Sequence, residues 1–358
     1  MEIRIPITDR IVSPSEKELQ YCGRIDWSNS EEPVFVYPCS FVTFRFTGTK
    51  IKIIVSNQHD YYDNYIGYIL DGEQGRLLLP EDSQKVILSI GEELEDKEHE
   101  ILLFKRMDGC HYFTLFGFVI DEKAKLYQTE KLPERRIEVY GDSVSAGEVS
   151  EALEYMKKPD PQHNGEYSNA WYSYTWITAR KLGAQLHDIA QGGIALLDGT
   201  GWFCAPEFYG MEHNWDKIKY NPHLGTKTAW DFKKYTPHVV IVAIGQNDNH
   251  PFDYMKEDYN GVEAKHWRES YKKWICTIRK TYPKAWIVLT TTILEHDKNW
   301  DSSIEAVTKE LQDPRIRHFL YSQNGSGTPG HIRIPEAEDM AKELSTYLLS
   351  LGDEIWED

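Results

Sequence analysis

Two rhythms of apolar positions divide the chain. Up to about residue 125 they alternate with polar ones at period two: Val42, Phe44 and Phe46 interleave with Phe41, Thr43 and Arg45. After the turn-forming run Thr47-Gly48-Thr49-Lys50, the residues Ile51, Ile53 and Val55 take up the same alternation. Further strands are predicted over 65–70, 85–89, 99–104 and 112–119. Short strands, frequent turn signals and no convincing long helix predict an antiparallel sandwich. A polar stretch from Asp121 to Arg136, containing Pro133, then marks a boundary. The expected division is residues 1–130 and 131–358.

Beyond that boundary strands alternate with helices. Strands are predicted over 137–140, 185–190, 239–244, 286–290 and 316–320. Between them Trp267, Tyr271, Trp274, Ile275 and Ile278 recur at helical spacing, with Pro283 closing the segment. A second helix is expected from near Asn169 to Gly183, a suitable C′ glycine. A last one carries Pro335 in its first turn and buries Ala337, Met340, Ala341, Leu344 and Leu348. Short apolar strands separated by amphipathic helices imply a parallel sheet covered on both faces, whose active sites lie at the carboxyl ends of the strands.

The net charge of -17, with no run of Lys or Arg, argues against nucleic acid or an anionic membrane as partner. Eleven Trp and 22 Tyr suit both a packed core and a site that stacks sugar rings. The cysteines, Cys22, Cys39, Cys110, Cys204 and Cys276, are scattered, which indicates neither a disulfide framework nor a zinc knuckle. Met1–Pro6 hold no apolar run of signal-peptide length and no window reaches the roughly 20 apolar residues of a membrane span, so a cytoplasmic location is expected. A trimmed chain with an added Met would look the same.

Four features stand at the strand ends. After the strand at 137–140 comes Gly141-Asp142-Ser143-Val144-Ser145, which places a serine hydroxyl and its own N–H over the sheet edge. It is not the Gly-x-Ser-x-Gly elbow, because Ser145 stands where the second glycine would be. After 185–190 comes Gln191-Gly192-Gly193, where the backbone can approach a ligand and offer an N–H. Gly245-Gln246-Asn247-Asp248 offers an amide side chain, and His331 lies just before the final helix. Each alone reads more simply as a turn, a cap or a packed residue. Together they supply a nucleophile (Ser143), a general base (His331) and three oxyanion donors (the N–H groups of Ser143 and Gly193, and the Asn247 amide), the inventory of acyl transfer. Asp142 and Asp248 read as loop ties rather than chemical groups.

With these blocks the chain resembles the SGNH (GDS-type) hydrolases: Gly141-Asp142-Ser143 matches the first block, Gly193 the second, Gly245-Gln246-Asn247-Asp248 the third and His331 the last. The preceding half, with Leu88 to Arg106 reading LSIGEELEDKEHEILLFKR, looks like the accessory domain of carbohydrate esterase family 2. The resemblance implies an α/β fold: a three-layer α/β/α SGNH-type domain with a parallel sheet, preceded by a jelly-roll-like antiparallel β-sandwich. It also implies a serine esterase, needing no cofactor or metal, that removes O-acetyl groups from plant cell-wall carbohydrate such as acetylated xylan or its oligosaccharides.

One departure matters. The superfamily usually carries Asp three residues before its histidine, and here that position is Thr328. Two readings stay open: a backbone carbonyl orients His331, or an acid from another loop does. Ile332 replaces the proline that usually follows the histidine, and His250 and His296 are rival bases of lower rank. Trp171 and Trp202 fit either a sugar site or packing beneath loops. The polar stretch between Gly147 and Asn169 fits an entrance rim or a subunit contact, and a homo-oligomer is compatible with such loops. Alternative functions are a GDS-type esterase or thioesterase on other acyl groups and an inactive carbohydrate-binding protein. A metal-dependent deacetylase ranks last, for want of histidines at ligand spacing.

Overall fold

The computed structural model describes residues 5–358; Met1–Arg4, on which the reading of the chain's start partly rests, lie outside the described residues. The period-two half forms two antiparallel sheets packed face to face. One runs in the order Ile25–Asp26, Val34–Phe35, His111–Asp121, Ile51–His59, Val86–Gly91, with Asp9–Val12 also on His111–Asp121. The other runs Leu126–Tyr127, Phe41–Gly48, Lys97–Lys105, Tyr65–Leu70, Glu73–Leu78, with Gln20–Cys22 also on Phe41–Gly48. Val42, Phe44, Phe46, Ile51, Ile53, Val55, Ile101 and Leu103 fill the space between them, as the alternation requires. On the longest strand the inward set changes parity, from Phe113 and Leu115 to Phe118 and Ile120. A register shift between Leu115 and Gly117 causes this, and Gly117 sits at φ 134° where a Cβ would strike the Val12 carbonyl.

The second half holds a five-stranded, all-parallel sheet in the order Ala184–Ala190, Arg135–Gly141, Val239–Ala243, Trp286–Thr290, Ile316–His318. Numbered along the chain this is 2-1-3-4-5, and the order reverses at the first strand, Arg135–Gly141. Successive side chains face opposite layers. Val240, Val242, Ile287 and Leu289 pack against helices Val262–Thr281 and Lys298–Leu311. Ile137, Val139, Val239, Ile241 and Val288 pack against Tyr174–Lys181 and Ile334–Ser350. No described helix is long and apolar enough to cross a membrane.

The two halves share their cores. Val36, Tyr37, Cys110 and Tyr112 join the first helical layer, and Cys39 and Phe104 join the second. Between them lies Arg24, wholly buried. Its guanidinium donates to the carbonyls of Trp215 (2.6 Å) and Lys217 (3.2 Å) and to the Tyr140 hydroxyl (3.2 Å), and pairs with buried Glu138 at 3.4 Å. A buried charge is tolerable only when so matched.

Candidate active site

The reversal of strand order marks the carboxyl ends of the first three strands as the place where ligands of such sheets bind. The three motif loops end there. Asp142 caps the single helical turn Ser143–Ala146, accepting from the Val144 N–H at 3.0 Å, and Gly147 ends it at φ 74°. Gly141 must lack a side chain, since a Cβ would fall 2.2 Å from the Ser145 hydroxyl. Buried Asp142 also accepts from the amides of Gln246 and Asn247, so it ties the first loop to the third. Asp248 does the same for the second, accepting from the Leu196 N–H at 3.0 Å and the Trp267 indole at 2.9 Å. Both act as the loop ties read from the sequence.

Ser143 and His331, 188 residues apart, meet: Ser143 Oγ lies 2.6 Å from His331 Nε2. The other ring nitrogen answers the question left by Thr328. His331 Nδ1 lies 2.5 Å from Asp160 Oδ2, and Asp160 Oδ1 accepts from the His331 N–H at 3.0 Å. Asp160 comes from the polar stretch 147–169. Wholly buried Arg333 steadies it, donating to Asp160 Oδ1 at 2.8 Å, to the His331 carbonyl and to the Ala152 carbonyl at 3.0 Å. Thr328 is itself buried, in a bridge with Leu294, and its hydroxyl has no partner among the described residues.

Burial disfavours the imidazolium of His331, but the negative charges of Glu148, Asp160 and Asp142 outweigh it and push the pKa up to about 9. Burial likewise works against the Asp160 carboxylate, yet its hydrogen bonds and charge contacts with His331 and Arg333 hold it well below the usual range. His331 and Asp160 therefore form an ion pair, with side chains 20% and 29% exposed.

Of the expected oxyanion donors, the N–H groups of Ser143 and Gly193 make no hydrogen bond among the described residues. Gly193 adopts φ 70°, and a Cβ there would lie 2.7 Å from Cβ of Trp202. The Asn247 amide is differently placed: it donates to Asp142 Oδ2 at 3.2 Å and to the Ile194 carbonyl at 3.1 Å. An oxyanion would share these hydrogens. The turn before Gly193 is gripped from the sandwich. Asp108, on the loop between strands Lys97–Lys105 and His111–Asp121, accepts from the Gly192 N–H at 2.7 Å and the Gln191 amide at 3.0 Å. Nearby Arg106 pairs with Glu151 at the root of the loop that carries Asp160.

The rival histidines are engaged elsewhere: His296 with Asp301 at 3.1 Å, and His250 with the Gly201 carbonyl at 2.6 Å. Trp171 packs on Phe104 and Trp176, with the Arg180 guanidinium 3.9 Å above its ring. Trp202 is different, 59% exposed and stacked on His250 at 3.5 Å, next to Gly193. Asp60, Cys204 and His223 bring donor atoms within 4.8 Å of one another, a set that could hold a borderline metal ion. Asp60 and His223 already meet in a hydrogen bond at 2.9 Å.

Comparison with known proteins adds an independent line. Residues 21–129 match the family model described as carbohydrate esterase 2 N-terminal. The sequence is 24% identical to an acetylxylan esterase / glucomannan deacetylase of Cellvibrio japonicus, over 96% of this chain and 91% of that protein. It is 29% identical to the cellulase/esterase CelE of Acetivibrio thermocellus, over 92% of this chain and 39% of that longer protein. Among solved structures, a family two carbohydrate esterase from Cellvibrio japonicus superposes with a TM-score of 0.79 at 22% identity, covering 97% of this chain and 99% of that one. At such identity the superposition speaks for the fold.

Proposed function

We propose that the chain, whose residues 21–129 match the N-terminal model of carbohydrate esterase family 2, is a serine esterase of that family, removing O-acetyl groups from plant cell-wall carbohydrate such as acetylated xylan or its oligosaccharides. The observation that carries this reading is the unbroken line Ser143–His331–Asp160 beside two unbonded N–H groups. Ser143 Oγ attacks the acetyl carbonyl while His331 Nε2 takes its proton. Asp160 fixes the ring so that Nε2 faces the serine and balances the imidazolium charge. The N–H groups of Ser143 and Gly193 receive the oxyanion, with the Asn247 amide as third donor. His331 then protonates the departing sugar oxygen, and a water deprotonated by the same nitrogen releases acetate. Residues 131–358 are the catalytic domain in this scheme, and 1–130 the accessory one. Trp202 offers a face for a sugar ring beside the oxyanion turn.

The test is acetate release from acetylated xylo-oligosaccharides by the native chain and by Ser143→Ala. Release that vanishes in the variant is the expected result. Cleavage of an aryl acetate without any release from the sugars would keep the esterase and discard the substrate. An inactive carbohydrate-binding protein would need no acid behind its histidine, whereas Asp160 stands 2.5 Å from His331 Nδ1, which supports the esterase.

A further inference from the structure

One acidic side chain at the centre of this site has no task in the scheme above. Glu148 stands five residues after Ser143, with its Oε2 3.8 Å from His331 Nε2. The same oxygen lies 3.1 Å from where a Cβ on Gly192 would be, so the carboxylate occupies the space between the base and the oxyanion turn. Its side chain is 19% exposed, and no hydrogen-bond donor among the described residues reaches either oxygen. The nearest other ring nitrogen, His163 Nε2, is 4.0 Å away, and burial holds that imidazole below its ordinary pKa. A cavity of about 10 Å³, room for a single oxygen atom, lies against it between Tyr62, Asp108 and Ser168. Burial, with the nearby carboxylates of Asp108, Asp160 and Asp142, pushes Glu148 up to about 7, a sign that the protein itself leaves it poorly compensated.

A carboxylate beside the reacting ester is a liability unless something donates to it. An acetyl ester carries no donor, and its leaving oxygen gains a proton only when His331 supplies one. That leaving oxygen must come within roughly 3 Å of Nε2, which brings the next carbon's substituent towards Glu148. Resting on the reading of this site as a carbohydrate esterase, we propose that Glu148 accepts a hydrogen bond from a free hydroxyl vicinal to the scissile ester, and that the preferred substrates are neutral polyol esters bearing that hydroxyl. A substrate with an anionic group in its place would meet like charge and be rejected.

The experiment compares two monoacetylated xylosides that differ only in whether the hydroxyl next to the ester is free or O-methylated, with an aryl acetate as reference and thermal unfolding as a check on each variant. The native chain should favour the free hydroxyl by roughly 10- to 100-fold in kcat/KM, as expected for a hydrogen bond to a charged acceptor. The preference should shrink in Glu148→Gln and approach unity in Glu148→Ala. A preference that survives in folded Glu148→Ala overturns the assignment. So does a variant that loses all three substrates in equal proportion, which would place Glu148 in support of His331. A native chain that cleaves the aryl acetate and neither xyloside would instead overturn the carbohydrate reading, and this inference with it.

Discussion

At the scale of single residues, the chemistry turns on how His331 is held. Asp160→Asn keeps the shape of the contact but removes the anion, and should lower kcat on an aryl acetate on the order of 100- to 10,000-fold. The direction of the pH effect follows from the charges. His331 accepts a proton only when neutral, and its pKa is raised to about 9, so kcat/KM should climb from neutral pH and level off in the alkaline range. Removing an anion lowers that pKa, so the limb of Asp160→Asn should lie at lower pH while its plateau falls. A limb that stays in place would detach Asp160 from the base. Asn247→Ala probes the third oxyanion donor. A loss on the order of 100- to 1,000-fold is expected, and less than tenfold would confine Asn247 to bridging Asp142 and the Ile194 carbonyl. Ser143, Gly193, Asn247 and His331 were legible because each follows or precedes a strongly patterned element. Asp160 and Arg333 were not: pairing across 171 and 173 positions leaves no trace in periodicity, and Asp160 lies in a polar stretch where an acid is ordinary.

Among the elements, the loop between strands Lys97–Lys105 and His111–Asp121 acts outside its own sheet. Asp108 holds the Gly192 N–H and so fixes the turn that presents Gly193. Asp108→Ala leaves that N–H unpaired; kcat should fall about tenfold with KM little changed, and Asp108→Asn, which retains an acceptor oxygen, should recover part of the loss. Equal effects on kcat and KM would point to a disturbed substrate pocket instead. The longer strands of both halves were readable from period-two alternation and apolar runs; among the elements that went unread, two are instructive. Glu73–Leu78 mixes Glu, Gln, Gly and Arg, so its only strong cue was the Asp71-Gly72 turn, whose two residues take φ 52° and 88°. Helix Lys298–Leu311 carries Trp300, Ile304 and Val307 at the same i, i+4, i+7 spacing as Trp267, Tyr271 and Trp274, behind the cap Asp297, so its cue was present in the sequence and was passed over. The expected helix from Asn169 begins at Tyr174, because Asn169 caps a short 3-10 turn and Ser173 starts the helix proper.

For the whole molecule, the join between the two halves is part of the core rather than a seam. Arg24 from the sandwich half pairs with Glu138 on the parallel strand Arg135–Gly141, both at 0% exposure. Arg24→Ala would strand that carboxylate, and should cost about 3–5 kcal/mol of unfolding free energy, measured in urea. A cost under 1 kcal/mol would mean that the pair contributes little. The sequence conveys two rhythms and hence two folds. How they meet is not conveyed, because Arg24 sits between strands of two or three residues and its partners lie more than 100 positions away.

The route taken by the chain from Ser143 to Asp160 has a consequence for how the molecule can be silenced. Between them run Glu154 to Pro159, all exposed, with Lys157 and Lys158 adjacent. A trypsin-like protease that cuts the single bond after Lys157 severs Asp160 from its tether on the serine side, yet opens no core and removes no mass. Such a nicked molecule would keep its size and fold while Asp160 was held only by Arg333, His331 and the chain on its far side, so an intact band on a native gel would say nothing about whether the preparation still works.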